Sequence, residues 1–269
     1  VMAIEVFNRY EHKYILDRAT YRQVIEIMDM HMELDKYNAG LKPYTIANIY
    51  YDTADDYLIR KSLSKPVYKE KLRLRAYGVP DRDTKVFLEI KKKYKGIVYK
   101  RRLSLPADQA KAYLEEGRKP EEQNQIFREI DYFIKFYHPV PKVYLAYDRR
   151  AYYGITDPGL RLTIDQNIRS RYEKLDLGYD GECQVLDPDN YLMEIKVPDA
   201  YPMWLADLLC ELKIYPVSFS KYGTVYSNSI RSGEIAMHTV RPQPGKDVKN
   251  ETVTGNTRKE EEAICLQVF

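Results

Sequence analysis

The chain of 269 residues has few of the side chains on which covalent catalysis, cross-linking or metal centres are usually built. It holds three cysteines and four histidines. Cys183, Cys210 and Cys265 are too widely spaced for a disulfide framework or a zinc pattern. No two histidines stand at the i, i+4 spacing of a helical metal site. No Ser-His-Asp or Cys-His constellation is recognisable. Apolar runs fall short of the ~20 residues that span a bilayer, and no apolar signal segment opens the chain. The expectation is therefore a cytoplasmic protein. Excess charge is missing as well. With 43 basic and 40 acidic residues the formal net charge is only +3, so bulk charge by itself points to no polyanionic partner.

What the chain does have is 44% hydrophobic and 31% charged residues, enough for a sizeable core in a soluble domain. Alternating runs rich in Tyr, Val, Ile and Leu predict strands over 6–16, 45–52, 68–77, 85–94, 97–105, 142–153, 160–169 and 191–197. Asp17 is the predicted N-cap of a helix reaching Leu34. Pro106 opens a short helix closed by Gly117, and Pro120 opens a longer one reaching Tyr137. Further helices are predicted over 202–213 and 220–230. Residues 1–237 read as one domain and 238–269 as a polar C-terminal tail. The fold class is α+β: an antiparallel, closed or nearly closed sheet with helices packed outside.

The strands carry the functional signal. Residues two apart on a strand share a face, so Lys69, Lys71, Arg73 and Arg75 point one way while Glu70, Leu72 and Leu74 point the other. Glu11 and Lys13 share a face with Arg9, Glu89 and Lys91 with Lys93, Lys100 with Arg102, Arg161 with Asp165, and Glu194 with Lys196. For any one strand a solvated charged face is the simpler reading. The uniformly cationic run from Lys69 to Arg75 weakens that reading, because neighbouring like charges repel unless an anion offsets them. In a barrel these faces converge on a wet channel, and phosphate suits an Arg fork and a Lys point charge.

Carboxylates stand among the cations at Glu11, Glu89, Asp165 and Glu194. They read either as partners of the neighbouring bases or, at one or two positions, as ligands of Mg²⁺ or Mn²⁺. Glu194, on a short apolar strand, is the first metal candidate and Glu11 the second.

An ordered set of motifs runs through Arg9-Tyr10-Glu11-His12-Lys13-Tyr14, Tyr51-Asp52-Thr53, Lys71-Leu72-Arg73-Leu74-Arg75 and Glu89-Ile90-Lys91. It continues through Lys100-Arg101-Arg102, Tyr147-Asp148-Arg149-Arg150, Arg161-Leu162-Thr163-Ile164-Asp165, Glu194-Ile195-Lys196 and Phe219-Ser220-Lys221-Tyr222. This set resembles the polyphosphate polymerase domain of the vacuolar transporter chaperone (VTC) family, a branch of the triphosphate tunnel metalloenzymes. The resemblance implies an eight-stranded antiparallel tunnel, ATP as phosphoryl donor, and inorganic polyphosphate as product. It implies Lys13, Arg73, Arg75, Lys91, Arg149, Arg161 and Lys196 as catalytic residues. Arg9, Lys69, Lys71, Arg102 and Lys221 join them in holding phosphates, with Glu194 and Glu11 on Mn²⁺ or Mg²⁺.

Hydrolytic tunnel enzymes carry two acids on the first strand, in a Glu-x-Glu-x-Lys pattern. Arg9 takes the place of the first acid here, which favours polymer synthesis over hydrolysis of tripolyphosphate or a nucleoside triphosphate. A non-catalytic polyphosphate sensor is the other alternative. Nucleic-acid binding is weaker, since the 26 tyrosines fit sheet packing. The resemblance also implies a stand-alone, bacterial-like member without an SPX domain or membrane helices. Any placement at the inner face of a membrane would then come through a separate membrane protein.

Overall fold

A computed structural model describes residues 10–38, 42–95, 97–121, 123–179 and 183–233. Arg9 and the predicted tail at 238–269 lie outside the described residues. The described chain runs β1 (Tyr10–Leu16), α1 (Arg18–His31), β2 (Met32–Leu34), β3 (Tyr44–Asp52), α2 (Tyr57–Leu63), β4 (Tyr68–Tyr77), β5 (Lys85–Tyr94) and β6 (Ile97–Pro106). It continues α3 (Ala107–Glu116), α4 (Gln125–Tyr137), β7 (Val140–Gly154), β8 (Arg161–Arg171), β9 (Gln184–Val185), β10 (Tyr191–Val197), α5 (Met203–Glu211) and α6 (Lys221–Arg231).

Eight strands form one antiparallel path in the order β1-β10-β8-β7-β3-β4-β5-β6, with β2 added to β7 and β9 to β8. This is the expected tunnel sheet, and of the two alternatives it is the nearly closed one: among the described residues β1 and β6 are not hydrogen-bonded to each other, so the sheet is wound without being sealed. Register shifts at Tyr50/Tyr51 and Ala146/Asp148 add local twist that helps it wind. Asn167, at φ 50, supplies a left-handed residue on the strand facing the second shift. The winding brings opposite ends of the path into electrostatic range, since Glu11 on β1 and Glu194 on β10 both act on Lys91 of β5.

Alternation sorts the side chains as the hydrophobic effect requires. Outward Leu72, Leu88 and Ile90 are fully buried beneath α3 and α4, packed with Tyr113, Phe127 and Ile130. On the other flank Tyr14, Ile164 and Ile195 pack against Val24 and Met28 of α1 and Leu205 and Leu208 of α5. Truncating any of these buried leucines or isoleucines to alanine removes roughly 2–5 kcal/mol.

The sixth helix departs from the expected plan. Tyr222, Val225 and Tyr226 of α6 pack on Ile46, Tyr50, Leu145 and Tyr147. Those positions alternate in register with Asn48, which receives Arg75, so they belong to the cationic, inward face. Helix α6 therefore lies on the concave side of the sheet, while α1, α3, α4 and α5 cover the outside.

Local chemistry accounts for the other differences. Asp17 caps α1 as expected, accepting from the Thr20 N–H at 2.7 Å. The helix stops at His31, however, because Met32–Leu34 pair with β7. Helix α4 starts at Gln125 instead of Pro120, since the Asn124 side chain is its cap. Helix α2 was not expected. It is only seven residues long, and its N-terminal N–H groups at Leu58 and Ile59 donate to the buried Asp52 carboxylate at 2.8 Å each.

Candidate active site

Two buried carboxylates organise the inner wall. Glu89, 1% exposed on β5, accepts Arg73 Nε at 2.7 Å, Arg102 Nε at 2.5 Å and Lys100 Nζ at 2.7 Å, with Arg75 Nε at 3.8 Å. Burial alone would raise its pKa, but Arg73, Arg75 and Lys100 hold it well below the usual carboxylate range. Arg75 is itself fixed by Asn48 Oδ1 at 3.0 Å and Tyr147 OH at 3.1 Å.

Asp165 of β8, fully buried, is the second node. Arg149 grips it through Nε and Nη2 at 2.6 and 2.8 Å, a bidentate pair, and Lys221 Nζ joins at 2.5 Å. These two cations outweigh burial and lower its pKa. Glu89 and Asp165 thus hold most of the arginines predicted to meet phosphate in fixed orientations.

The lysines are in a different state. Lys71 and Lys91 face each other across β4 and β5, Lys69 faces Lys93, and Lys91 faces Lys100 on β6. Directly opposed like charges destabilise a sheet. Lys91 has no ion pair or hydrogen bond among the described residues, and Lys69 reaches only the Ser62 carbonyl, at 3.4 Å. Lys71 Nζ bonds Ser220 Oγ at 3.2 Å and lies 5.9 Å from the ring centre of Tyr222. Burial, reinforced by Lys69, Lys91 and Lys13 and opposed by Tyr50, draws the Lys71 pKa down to about 8. Burial and neighbouring lysines lower Lys69 and Lys91 too, although water reaches Lys91. Glu11 and Glu194 oppose the shift of Lys91 from a distance, but among the described residues no carboxylate forms an ion pair with Lys69, Lys71 or Lys91.

On the facing wall, Glu11 and Glu194 converge on Lys13, at 3.5 and 3.8 Å, and Lys13 also donates to the Phe219 carbonyl at 3.1 Å. Lys196 Nζ lies 2.5 Å from Glu194. Burial would raise Glu194, but Lys196 and Lys13 lower it, so it is an ionised carboxylate at neutral pH. Thr163, paired in register with Glu194, has a buried hydroxyl without a hydrogen-bond partner among the described residues. No group of three His, Cys, Asp or Glu side chains suited to a metal occurs among the described residues. Two carboxylates and a free hydroxyl fit a magnesium-like ion completed by waters and phosphate oxygens, and do not fit a self-sufficient protein cage.

The structure therefore gathers Lys13, Lys69, Lys71, Arg73, Arg75, Lys91, Arg102, Arg149, Lys196, Lys221, Glu11 and Glu194 on one concave surface. Arg161 sits at its edge, exposed, with its guanidinium 5.2 Å from the Tyr153 ring centre. Sequence reasoning missed Asn48, Tyr50 and Tyr147. The signal was present in the alternation of β3 and β7, but tyrosines there read equally well as packing.

The VTC domain family matches residues 8–229. No curated protein matches the chain significantly. Among solved structures, a candidate adenylate cyclase from Bacillus halodurans is 16% identical, with a TM-score of 0.48, over 78% of this chain and 92% of its own. A Pyrococcus horikoshii protein is 13% identical, with a TM-score of 0.41, over 81% and 99%. A candidate adenylyl cyclase from Hippeastrum, described as having a dominant triphosphatase activity, is 15% identical, with a TM-score of 0.44, over 88% and 99%. These structural likenesses are too distant to carry an activity across, whereas the family match spans most of the chain. The protein belongs to the VTC domain family.

Proposed function

We propose that this protein makes inorganic polyphosphate, transferring the γ-phosphoryl group of ATP to phosphate or to a growing polyphosphate chain. The observation that carries the reading is the lysine patch at Lys69, Lys71 and Lys91. Its mutual repulsion costs stability without an anion, and a row of phosphates is the ligand that repays it along the whole length of the patch. Family membership supports the same reading.

Phosphoryl transfer asks the protein for in-line positioning and charge cancellation. Arg73, Arg75 and Arg149, fixed by Glu89 and Asp165, present preorganised donors to the equatorial oxygens. A terminal oxygen of the acceptor attacks the γ-phosphorus; the bond to the β–γ bridging oxygen breaks, and ADP departs with that electron pair. The acceptor is already anionic at neutral pH, so no side-chain nucleophile takes part. Lys13, Lys71, Lys91 and Lys196 hold the acceptor chain against repulsion from the donor. A divalent ion, Mn²⁺ or Mg²⁺, would be held by Glu194 and Glu11 and would offset phosphate charge when bound. ATP, inorganic phosphate and polyphosphate are the proposed ligands, with no role for nucleic acid. Any membrane protein partner would be a separate chain.

The test is incubation with ATP and Mn²⁺, followed by polymer analysis on a gel and by assay of free phosphate. Long polymer that is lost in Glu194→Ala supports the proposal. Phosphate without polymer would replace it with hydrolysis, and neither product, with tight tripolyphosphate binding, would replace it with a sensor.

A further inference from the structure

Tyr50 is a buried phenol in surroundings made almost entirely of hydrogen-bond donors. It is 7% exposed, on the inward face of β3. Its hydroxyl accepts Arg73 Nη1 at 3.2 Å, and its ring stacks on Tyr222 with centroids 4.8 Å apart. Among the described residues it has no other hydrogen-bond partner, so its own proton meets no protein acceptor. The groups facing it are cationic or neutral. From β4 come Lys71, Arg73 and Arg75, and from α6 comes Tyr222. The adjoining acids are already engaged: Glu89 lies beyond Arg73 on β5, and Asp52, two residues along β3, is taken up by the N-terminus of α2 and by Tyr222 OH.

A phenol with a donor on its oxygen and no acceptor for its hydrogen has two ways to satisfy its surroundings. It can lose the proton and serve as a counter-anion to Arg73 and Lys71, or it can donate the proton to an incoming acceptor. We infer that Tyr50 is a phosphate-contacting residue that, in mildly alkaline solution, does both in turn: in the free protein it is the counter-ion of Arg73, and it takes a proton from solvent when a polyanion binds, donating that hydrogen to a phosphate oxygen. Burial would raise its pKa, but Arg73, Lys71 and Arg75 bring it down to about 8. A bound anion cancels those cations and repels phenolate, which restores the protonated form. No bond other than the O–H is made or broken, and the proton comes from the buffer. This role rests on the polyanion reading given above and adds a proton to it.

The probe is sodium tripolyphosphate without metal, titrated calorimetrically at pH 7 and pH 9 in buffers of different ionisation enthalpy. Wild-type protein should take up protons on binding at pH 9, and Tyr50→Phe should take up about one fewer. The variant should also bind roughly tenfold more weakly at pH 7, the usual cost of losing a hydrogen bond to a charged group. Lys71 titrates nearby, so ultraviolet difference absorbance supplies an independent readout. A tyrosinate band should develop around pH 8 in the free wild-type protein, disappear when tripolyphosphate is added, and be absent from Tyr50→Phe. Wild-type binding with a variant identical in affinity, proton uptake and absorbance overturns the role of Tyr50 alone. Wild-type protein that does not bind tripolyphosphate overturns the polyanion reading itself.

Discussion

Arg73 and Glu89 stand opposite each other on β4 and β5, and the guanidinium Nε meets a carboxylate oxygen at 2.7 Å. The same carboxyl also receives Arg102 and Lys100, so one buried anion orients cations from two neighbouring strands. Glu89→Gln keeps the shape and removes the charge. Loss of one member of a buried ion cluster typically costs ~3–5 kcal/mol. Urea unfolding should show a loss of that order, with tripolyphosphate restoring more stability to the variant than it adds to wild type.

The lysine patch predicts the opposite behaviour. Lys91→Met removes one of the repelling charges facing Lys71. The free protein should become more stable, by ~0.5–1 kcal/mol on the scale of cross-strand charge pairs, while tripolyphosphate binding falls. Thermal unfolding with and without the ligand measures both. A variant that is less stable when free, yet binds as well as wild type, would refute the account of the patch as a strained anion site.

Asp165 ties α6 to the sheet through Lys221. Asp165→Asn should leave Arg149 and Lys221 without their counter-charge and loosen the start of α6. Amide hydrogen exchange should quicken at the Tyr222–Tyr226 amides, while the outer helices α1 and α3 stay protected.

The pH dependence has two parts of opposite sign. Lys71 and Tyr50 both carry folded-state pKa values of about 8, below their ordinary values. Between pH 8 and the ordinary values of about 10, the unfolded chain therefore binds more protons at these sites than the folded chain does. Their contribution to stability consequently rises with pH across that window. Polyanion affinity should fall across the same window, because it needs Lys71 charged and Tyr50 protonated. Urea midpoints and tripolyphosphate affinities at pH 7, 8 and 9 would reveal the divergence. Parallel trends would contradict these assignments.

Much of this was legible in the sequence. The limits of β4, β5 and β10 follow from alternation alone, since each strand has one apolar face that must be covered and a one-residue slip would expose it. The same alternation gathers Lys71, Arg73, Lys91 and Glu194 on one surface. Helix α2 was not legible, because its N-terminus depends on Asp52, a residue that reads as the end of a strand. The place of α6 was not legible either. Its apolar stripe predicts a buried face but not which side of the sheet it meets. Tyr50 was hidden for a related reason: a tyrosine on a strand reads as packing until Arg73 is found on its hydroxyl.

The position of α6 leaves the bore off-centre. The helix packs on the concave side along β3 and β7, and its start reaches Lys71 of β4 through Ser220 while Phe219 meets Lys13 of β1. The concave face is thus asymmetric, with the helix on β3 and β7 and the lysine pairs on β4 and β5. On the proposed reading, an anion would meet its charge on one side, at β4 and β5, and not in a symmetric ring.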